Sequence, residues 1–386
     1  MLGCVYKFRI PNIESMQEEN KIQTEKIITH CPYCQGPKIV KSGARKKKHE
    51  TVQIYYCKNC DKKFTANLTK NRTYPLRVIL EAINGYNSFQ TMEETAKSVN
   101  EKFGLSINSQ NISNWVKGFS EYLPILRMRD FIAKKYDKKD IFVEAHLFHG
   151  QIYDFIYHRA KTDCVIDEFF KHQKFKPLQQ FLEIIDTECP HQLFKDSLCR
   201  ASEYKNVFNL DQVKITSRPN FACKTAKFVI QTVVNNKLRH EILQKFMLLN
   251  DSVTVATEVP ILLDFKDVQH FKTMKNFVVP LELKEGEVIT GHIDIVQIRN
   301  GAVHILDYKP GAKRVKPIEQ LTIYALALSR LTGLKLFHFK CAWFDGDDYF
   351  EFYPLHVVMK KKKFIKSRKK SGEVEPPKPP EIISTG

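Results

Sequence analysis

The sequence predicts an α+β protein of several domains, and three observations predict it. Two Cys-x-x-Cys pairs, Cys31/Cys34 and Cys57/Cys60, bracket a short basic stretch. Three short amphipathic segments follow between 72 and 124, and a strand–strand–helix–strand pattern lies between 289 and 355. The 386 residues suit two or three domains. A 43% apolar and 27% charged composition excludes disorder throughout and excludes a membrane bundle, and no apolar run is long enough to span a bilayer. The expected divisions are a polar leader over 1–29, then units over 30–68, 72–124, 125–225 and 226–358, and a basic, Pro-rich disordered tail over 359–386. No internal repeat is present.

The opening stretch MLGCVYKFRIPNIES lacks the apolar core and small-residue cleavage site of a secretory signal. The expectation is a cytoplasmic, reducing environment, where cysteines read as metal ligands or buried thiols before disulfides. Cys31-Pro-Tyr-Cys34 and Cys57-Lys-Asn-Cys60 stand 22 residues apart. Two such knuckles bring four thiolates to one tetrahedral ion, the arrangement of a zinc ribbon. Val52, Ile54 and Tyr56 alternate into the second knuckle as an inward strand face. Residues 30–68 hold too few apolar side chains to fold alone, so a structural Zn²⁺ supplies the folding energy. Four thiolates leave no open position for catalysis, and a redox dithiol or chance spacing is the weaker alternative. Cys4, Cys164, Cys189, Cys199, Cys223 and Cys341 show no ligand spacing and read as buried thiols.

The first helix is predicted from Pro75 to Asn84, with Leu76, Ile79, Leu80 and Ile83 on one face and Gly85 as its stop. Thr91 and Glu94 form a capping-box pair that opens the second, where Met92, Ala96, Val99 and Phe103 recur at helical spacing before Gly104. The third starts at Asn108 or Ser109 and turns Ile112, Trp115, Val116 and Phe119 inward. Three helices with short connections form a helix-turn-helix pattern, or a plain packing module. In the former, the third helix leads into the major groove with Gln110, Asn111, Ser113, Asn114 and Lys117 outward.

Residues 125–225 are expected to be mixed α/β, in a role the sequence leaves open. Ile141–Val143 and Gln151–Tyr157 read as strands turning at His149-Gly150, Leu178–Ile185 as a helix, and Thr225–Phe246 as one long helix. His146, His149 and His158 read as exposed histidines on a hairpin, since no cysteine or acid completes a metal geometry.

A net charge of +18 is concentrated in two blocks. Lys38–Lys48 holds six basic residues and no acid, including Arg45, Lys46, Lys47 and Lys48, and Lys360–Lys370 holds eight. Such density points to a polyanion, nucleic acid foremost, or to a solvated face or tail.

The sharpest pattern lies at 289–324. Ile289–Ile298 alternates as a strand, Asn300-Gly301 is a hairpin turn, and Val303–Lys309 returns. Asp307 and Lys309 share one sheet face, and Asp294 shares a face with His292. A helix follows from Glu319, with Gln320 and Tyr324 one turn apart. Two carboxylates on adjacent strands beside a lysine suit a hard cation, Mg²⁺ or Mn²⁺, against the alternative of a surface ion pair. The cation would lower the pKa of bound water while Lys309 orients or activates the nucleophile.

This segment resembles the PD-(D/E)XK nuclease superfamily, most closely its RecB-like branch. Gly291-His-Ile-Asp294 matches G-x-x-D, Asp307-Tyr308-Lys309 matches D-x-K, and Gln320-Leu-Thr-Ile-Tyr324 matches Q-x-x-x-Y. Leu238–Leu243 resembles the helix whose histidine, here His240, completes the metal site. Thr254–Leu263, with Glu258, would be the first core strand; Leu336–Phe344 and Tyr349–Leu355 would be closing strands. The resemblance covers about 230–355 and implies a restriction-endonuclease-like α/β domain with a central mixed sheet. It also implies Mg²⁺-dependent hydrolysis of DNA, with Asp294, Asp307 and His240 on the metal, Lys309 at the nucleophile, and Gln320 and Tyr324 positioning. Relatives with an iron–sulfur cluster place a cysteine group after the Gln–Tyr helix; only Cys341 stands there, so no cluster is expected. The pattern from 31 to 124 resembles the DNA-binding region of insertion-sequence transposases.

The functional expectation is a DNA-binding nuclease, with a tie to mobile-element or genome-defence processing suggested by the module combination. DNA is the expected partner, no membrane is expected, and a helix-turn-helix permits a homodimer. A transposase is the alternative: Glu144 stands where its first catalytic Asp is expected, and no further acids complete that triad. A DNA-binding regulator without catalysis is the third reading, opposed by intact Asp294, Asp307 and Lys309. Endo- versus exonuclease action, the recognised DNA and the pathway are left open.

Overall fold

The computed structural model describes residues 30–65, 73–196, 199–205, 207–211, 213–233, 236–274 and 276–359. The leader 1–29, the basic block Lys360–Lys370 and the Pro-rich tail lie outside them.

The cysteine segment folds as a three-stranded antiparallel ribbon: β1 (Ile39–Lys46), β2 (Thr51–Cys57) and β3 (Lys63–Thr65). Its two knuckles repeat one another. Gln35 donates its amide to the Cys31 carbonyl and Asp61 donates to that of Cys57, both at 2.9 Å, and Gln35 and Asp61 are left-handed at φ 56° and 55°. Tyr55 and Val52 are buried on β2, rather than Val52, Ile54 and Tyr56 together. The register shifts between Lys41 and Ala44, where Gly43 adopts φ +84°, a bulge that interrupts strict alternation along the β1–β2 pair.

Three helices follow: α1 (Leu76–Asn87), α2 (Met92–Phe103) and α3 (Ser109–Gly118). The Thr91–Glu94 capping box forms as the sequence implies, and Gly104 closes α2 in the left-handed conformation. Gly85 does not stop α1. A Cβ there would sit 3.0 Å from Thr95 Cγ2, so the glycine permits close approach of α2 instead. Tyr74 joins ribbon to helices, stacking on His49 at 5.1 Å and meeting Trp115 edge-on at 5.4 Å.

Further along come α4 (Leu126–Lys135), α5 (Arg159–Glu168), α6 (Lys176–Glu183) and α7 (His191–Asp196). The expected long helix at 225–246 is two helices, α8 (Phe221–Val229) and α9 (Asn236–Asn250). Between them Val233 is extended (φ −116°, ψ 117°), in a stretch of β-branched residues and asparagines that propagate a helix poorly.

Among the described residues the main sheet has nine strands: β4 (Val143–His149), β5 (Gln151–Tyr157), β6 (Cys199–Arg200), β7 (Thr216–Ser217), β8 (Thr254–Asp264), β9 (Val288–Arg299), β10 (Ala302–Tyr308), β11 (Phe339–Phe344) and β12 (Tyr349–Phe352). Its order is β4-β5-β8-β9-β10-β11-β12-β7, with β6 also pairing β9. The β10–β11 and β6–β9 pairs are parallel and the rest antiparallel, so the sheet is mixed. The segment 125–225, open in role from sequence, thus supplies four strands.

Strands β8 to β11 are almost wholly buried because both faces are covered. Helix α11 (Ile318–Thr332, preceded by α10, Phe265–Thr273) packs on one face with Val303, Ile305 and Trp343. On the other, Ile295, Leu306 and Phe344 join α8, α9 and all three N-terminal helices in one apolar cluster. A buried amide chain fastens α1 to α9: Asn87 Nδ2 donates to Asn250 Oδ1 and Asn250 Nδ2 to Asn84 Oδ1, each at 2.7 Å. Lys161, fully buried, donates to the Leu248 and Thr254 carbonyls. Among the described residues no helix is long and apolar enough to cross a membrane.

Candidate active site

The register of the central strands places three acids in a row. Leu306 pairs with Ile295 in the antiparallel β9–β10 ladder, so one step on Asp307 adjoins Asp294. On the other side of β9, Thr257 pairs with Ile295 and Val259 with Ile293, which sets Glu258 opposite Asp294. Lys309, just beyond β10, donates its backbone N–H to the Phe344 carbonyl (2.9 Å) and places Nζ 3.0 Å from Asp307 Oδ2. From α9, His240 Nδ1 lies 3.3 Å from Asp294 Oδ2, its ring edge-to-face with Tyr308. Gln244, one turn on, donates to Glu258 Oε1 at 2.7 Å.

Burial and mutual repulsion set the charges. Burial first, then the neighbouring Asp294 charge, hold Asp307 well above the usual carboxylate range. Burial also opposes ionisation of Asp294, but the His240 hydrogen bond and the nearby positive charges outweigh it and bring it below its ordinary value. Burial and then Asp294 push Glu258 up to about 8. Burial works against the Lys309 ammonium, yet Asp307 and Asp294 more than compensate and raise it. Asp307 Oδ1 is buried with no hydrogen-bond partner among the described residues. Glu258 adopts φ +51°, a left-handed conformation that costs energy for a residue with a Cβ.

Two motifs meet sterically at this centre. Tyr324 of α11 is 5% exposed and receives a 2.8 Å hydrogen bond on its hydroxyl from Gln320 Nε2. Its ring sits against β9 at Gly291: a Cβ there would stand 2.5 Å from Tyr324 Cε1. Glycine at this position is therefore a packing requirement of Tyr324, which comes from a separate helix. A cavity of about 310 Å³ opens here, lined by His240, Glu258, Gly291, Asp294, Gln320 and Tyr324 together with Arg200, Phe194 and His292.

The structure thus gathers His240, Asp294, Asp307, Lys309, Gln320 and Tyr324 in one place. Glu258 belongs with them, and Gln244 and Arg200 went unassigned from sequence. Gln244 follows His240 by four residues, a helical repeat that marks it. Arg200 comes from a distant two-residue strand and carries no local signal.

The four cysteines converge as well: Cys31 and Cys60 Sγ are 3.6 Å apart, as are Cys34 and Cys57, close to the roughly 3.8 Å edge of a tetrahedron with 2.3 Å metal–sulfur bonds. The amides of Tyr33 and Asn59 point at Cys31 and Cys57 Sγ, each at 3.4 Å. This group can hold a metal ion. On α3, Gln110, Asn114 and Lys117 are exposed, with Ser113 half-buried. Asn111 is half-buried and engaged in a reciprocal cap with Asn108. Arg45, Lys46 and Lys48 are exposed on the ribbon, whereas Lys47 is half-buried and pairs with Glu50 at 2.9 Å.

The histidine expectation is corrected. His149 and His158 are buried, and only His146 is exposed, with Asp154 at 2.7 Å. Cys189 is not an isolated thiol either: it lies beside His149 and His191. Folding of β4 against α7 brings these together, which spacing along the chain does not reveal.

A mixed α/β fold whose large sheet gathers acids and a lysine beside a cleft is consistent with a restriction-endonuclease-like domain. Residues 220–345, about a third of the chain, match the model of the PD-(D/E)XK nuclease superfamily, which points to a nuclease and hence a hydrolase. Comparison with curated proteins gives no match, and comparison with solved structures gives none.

Proposed function

We propose that the chain is a DNA-binding, Mg²⁺- or Mn²⁺-dependent nuclease of the RecB-like kind. The observation that carries the reading is the Asp294–Asp307–Lys309 group, joined by His240, Gln320 and Tyr324 within the segment that matches the nuclease superfamily. The donor set fits a hard cation: two carboxylates lie side by side, burial and the Asp294 charge raise the proton affinity of Asp307, and a buried carboxylate oxygen of Asp307 lacks a partner among the described residues. Asp294, Asp307 and His240 would hold it, and such an ion supplies Lewis acidity toward a phosphodiester and its attacking water. Lys309 holds its ammonium 3.0 Å from Asp307, and in this reading it orients the nucleophile and stabilises charge on the phosphate. Tyr324, with Gln320, fixes the height of β9 and hence of Asp294.

The four cysteines hold structural Zn²⁺ in this reading, and the ribbon and α1–α3 act as a zinc ribbon and helix-turn-helix that tether DNA. With Asn111 committed to its cap, base contact falls to Gln110, Ser113, Asn114 and Lys117, and phosphate contact to Arg45, Lys46 and Lys48. The purified protein, incubated with linear and circular DNA with and without Mg²⁺ or Mn²⁺, tests it. Metal-dependent degradation that Lys309→Ala abolishes supports the nuclease. Strand joining at element ends would indicate a transposase, and salt-sensitive binding without cleavage a regulator.

A further inference from the structure

The cluster around His149 lies outside the catalytic group and is left unused by it. His149, at the end of β4, is 1% exposed. Its Nε2 stands 2.9 Å from His191 Nδ1 and 3.9 Å from Cys189 Sγ, and the three donor atoms lie within 4.8 Å of one another. A tetrahedral ion with roughly 2.05 Å bonds to nitrogen and 2.3 Å to sulfur requires edges of about 3.3 and 3.6 Å. Shifts of a few tenths of an ångström bring both His149 edges to those values.

Local chemistry favours ligation over a plain packed histidine. The other nitrogen of His149, Nδ1, is 2.8 Å from His292 Nε2. Donation of an Nδ1 proton to His292 leaves the Nε2 lone pair facing Cys189 and His191, the tautomer that a ligand needs. Cys189-Pro190-His191 makes a tight turn in which the His191 amide donates to the Cys189 carbonyl at 2.9 Å. Cys189 is extended (φ −64°, ψ 124°), as a residue before proline prefers, and the turn sets both donors toward His149. One thiol and two imidazole donors, with no carboxylate in the group, select a borderline-soft ion over Mg²⁺.

We propose that His149, Cys189 and His191 bind a second zinc-class divalent ion, separate from the four-cysteine centre, with water in the fourth position. Binding exchanges the Cys189 S–H bond for a metal–sulfur bond and releases that proton to solvent, while His191 adopts its Nε2–H tautomer. The ion would pin the 189–191 turn to β4 and with it Phe194, which stacks on His149 at 4.0 Å. Phe194 and His292 both wall the catalytic cavity, and His292 is two residues from Asp294. The ion thus positions one wall of the cleft. It would be structural whatever reaction the cleft performs.

Zinc content of the full chain, purified without chelator, provides the test. Wild type should carry two zinc ions per chain, and His191→Ala, Cys189→Ser and Cys34→Ser one each. His191 is exposed, so its alanine variant retains the fold, which circular dichroism verifies. In a Cys34→Ser chain refilled with Co²⁺, a thiolate-to-cobalt charge-transfer band should appear and vanish on adding Cys189→Ser. One zinc in the wild type, or equal zinc in wild type and His191→Ala, would overturn the proposal.

Discussion

Gly291→Ala tests whether the Gly291–Asp294 and Gln320–Tyr324 motifs form one unit. The added methyl would sit 2.5 Å from Tyr324 Cε1 and 3.2 Å from its Cζ and hydroxyl. Carbon atoms pack best at about 3.5–4.0 Å, so ring or strand must yield by about 1 Å. The ring is 5% exposed on a buried helix, which closes the easy route of relaxation. Overpacking of this kind costs about 1–3 kcal/mol. Displacing β9 also moves Asp294, three residues on, and a misplacement near 1 Å lowers a catalysed rate by about 10²-fold. Urea denaturation of Gly291→Ala, Tyr324→Leu and the double variant measures the coupling. With the ring gone the methyl has room, so the alanine should cost at least about 1 kcal/mol less in the Tyr324→Leu background. Equal cost in the two backgrounds, within about 0.5 kcal/mol, would refute the steric pairing.

Two further outcomes follow from the scaffold. Asn250→Ala leaves the Asn84 and Asn87 amides buried without their partner, and should destabilise the protein by about 2 kcal/mol or more in urea; a change inside about 0.5 kcal/mol would mean that α1 is not fastened to α9 through this chain. Lys161 has its pKa brought down from 10.5 to about 8, chiefly by burial, with Asp251 opposing. Between those values the unfolded chain binds a proton that the folded chain does not, so wild-type stability relative to Lys161→Met should rise from pH 8 toward pH 10.5. A gap that stays constant over that window would contradict this burial effect.

Much of the centre was legible because its chemistry is written in short spacings. Asp307-x-Lys309 shares a sheet face, Gln320 and Tyr324 share a helix face, and Asn300-Gly301 fixes the hairpin that aligns Asp294 with Asp307. The Thr91–Glu94 box and the paired knuckles were readable for the same reason: each is settled within a few residues. What escaped depends on tertiary contact. Gly85 looks like a helix stop until Thr95 is seen against it, and Gly291 looks like a motif letter until Tyr324 lies on it. β5, β6 and β7 join the main sheet through pairings distant in sequence, and His149 meets Cys189 only because that sheet brings α7 to the end of β4. The left-handed Glu258 interrupts the β8–β9 ladder between Thr257 and Val259, and no residue preference announces it.

The most direct measurement is single-turnover cleavage of linear DNA by the purified chain across a Mg²⁺ titration, for wild type, Asp307→Asn and Lys309→Ala. The account predicts metal-dependent strand cleavage in the wild type, loss in both variants, and DNA affinity unchanged in both. Cleavage that persists in both variants would place the chemistry elsewhere in the molecule.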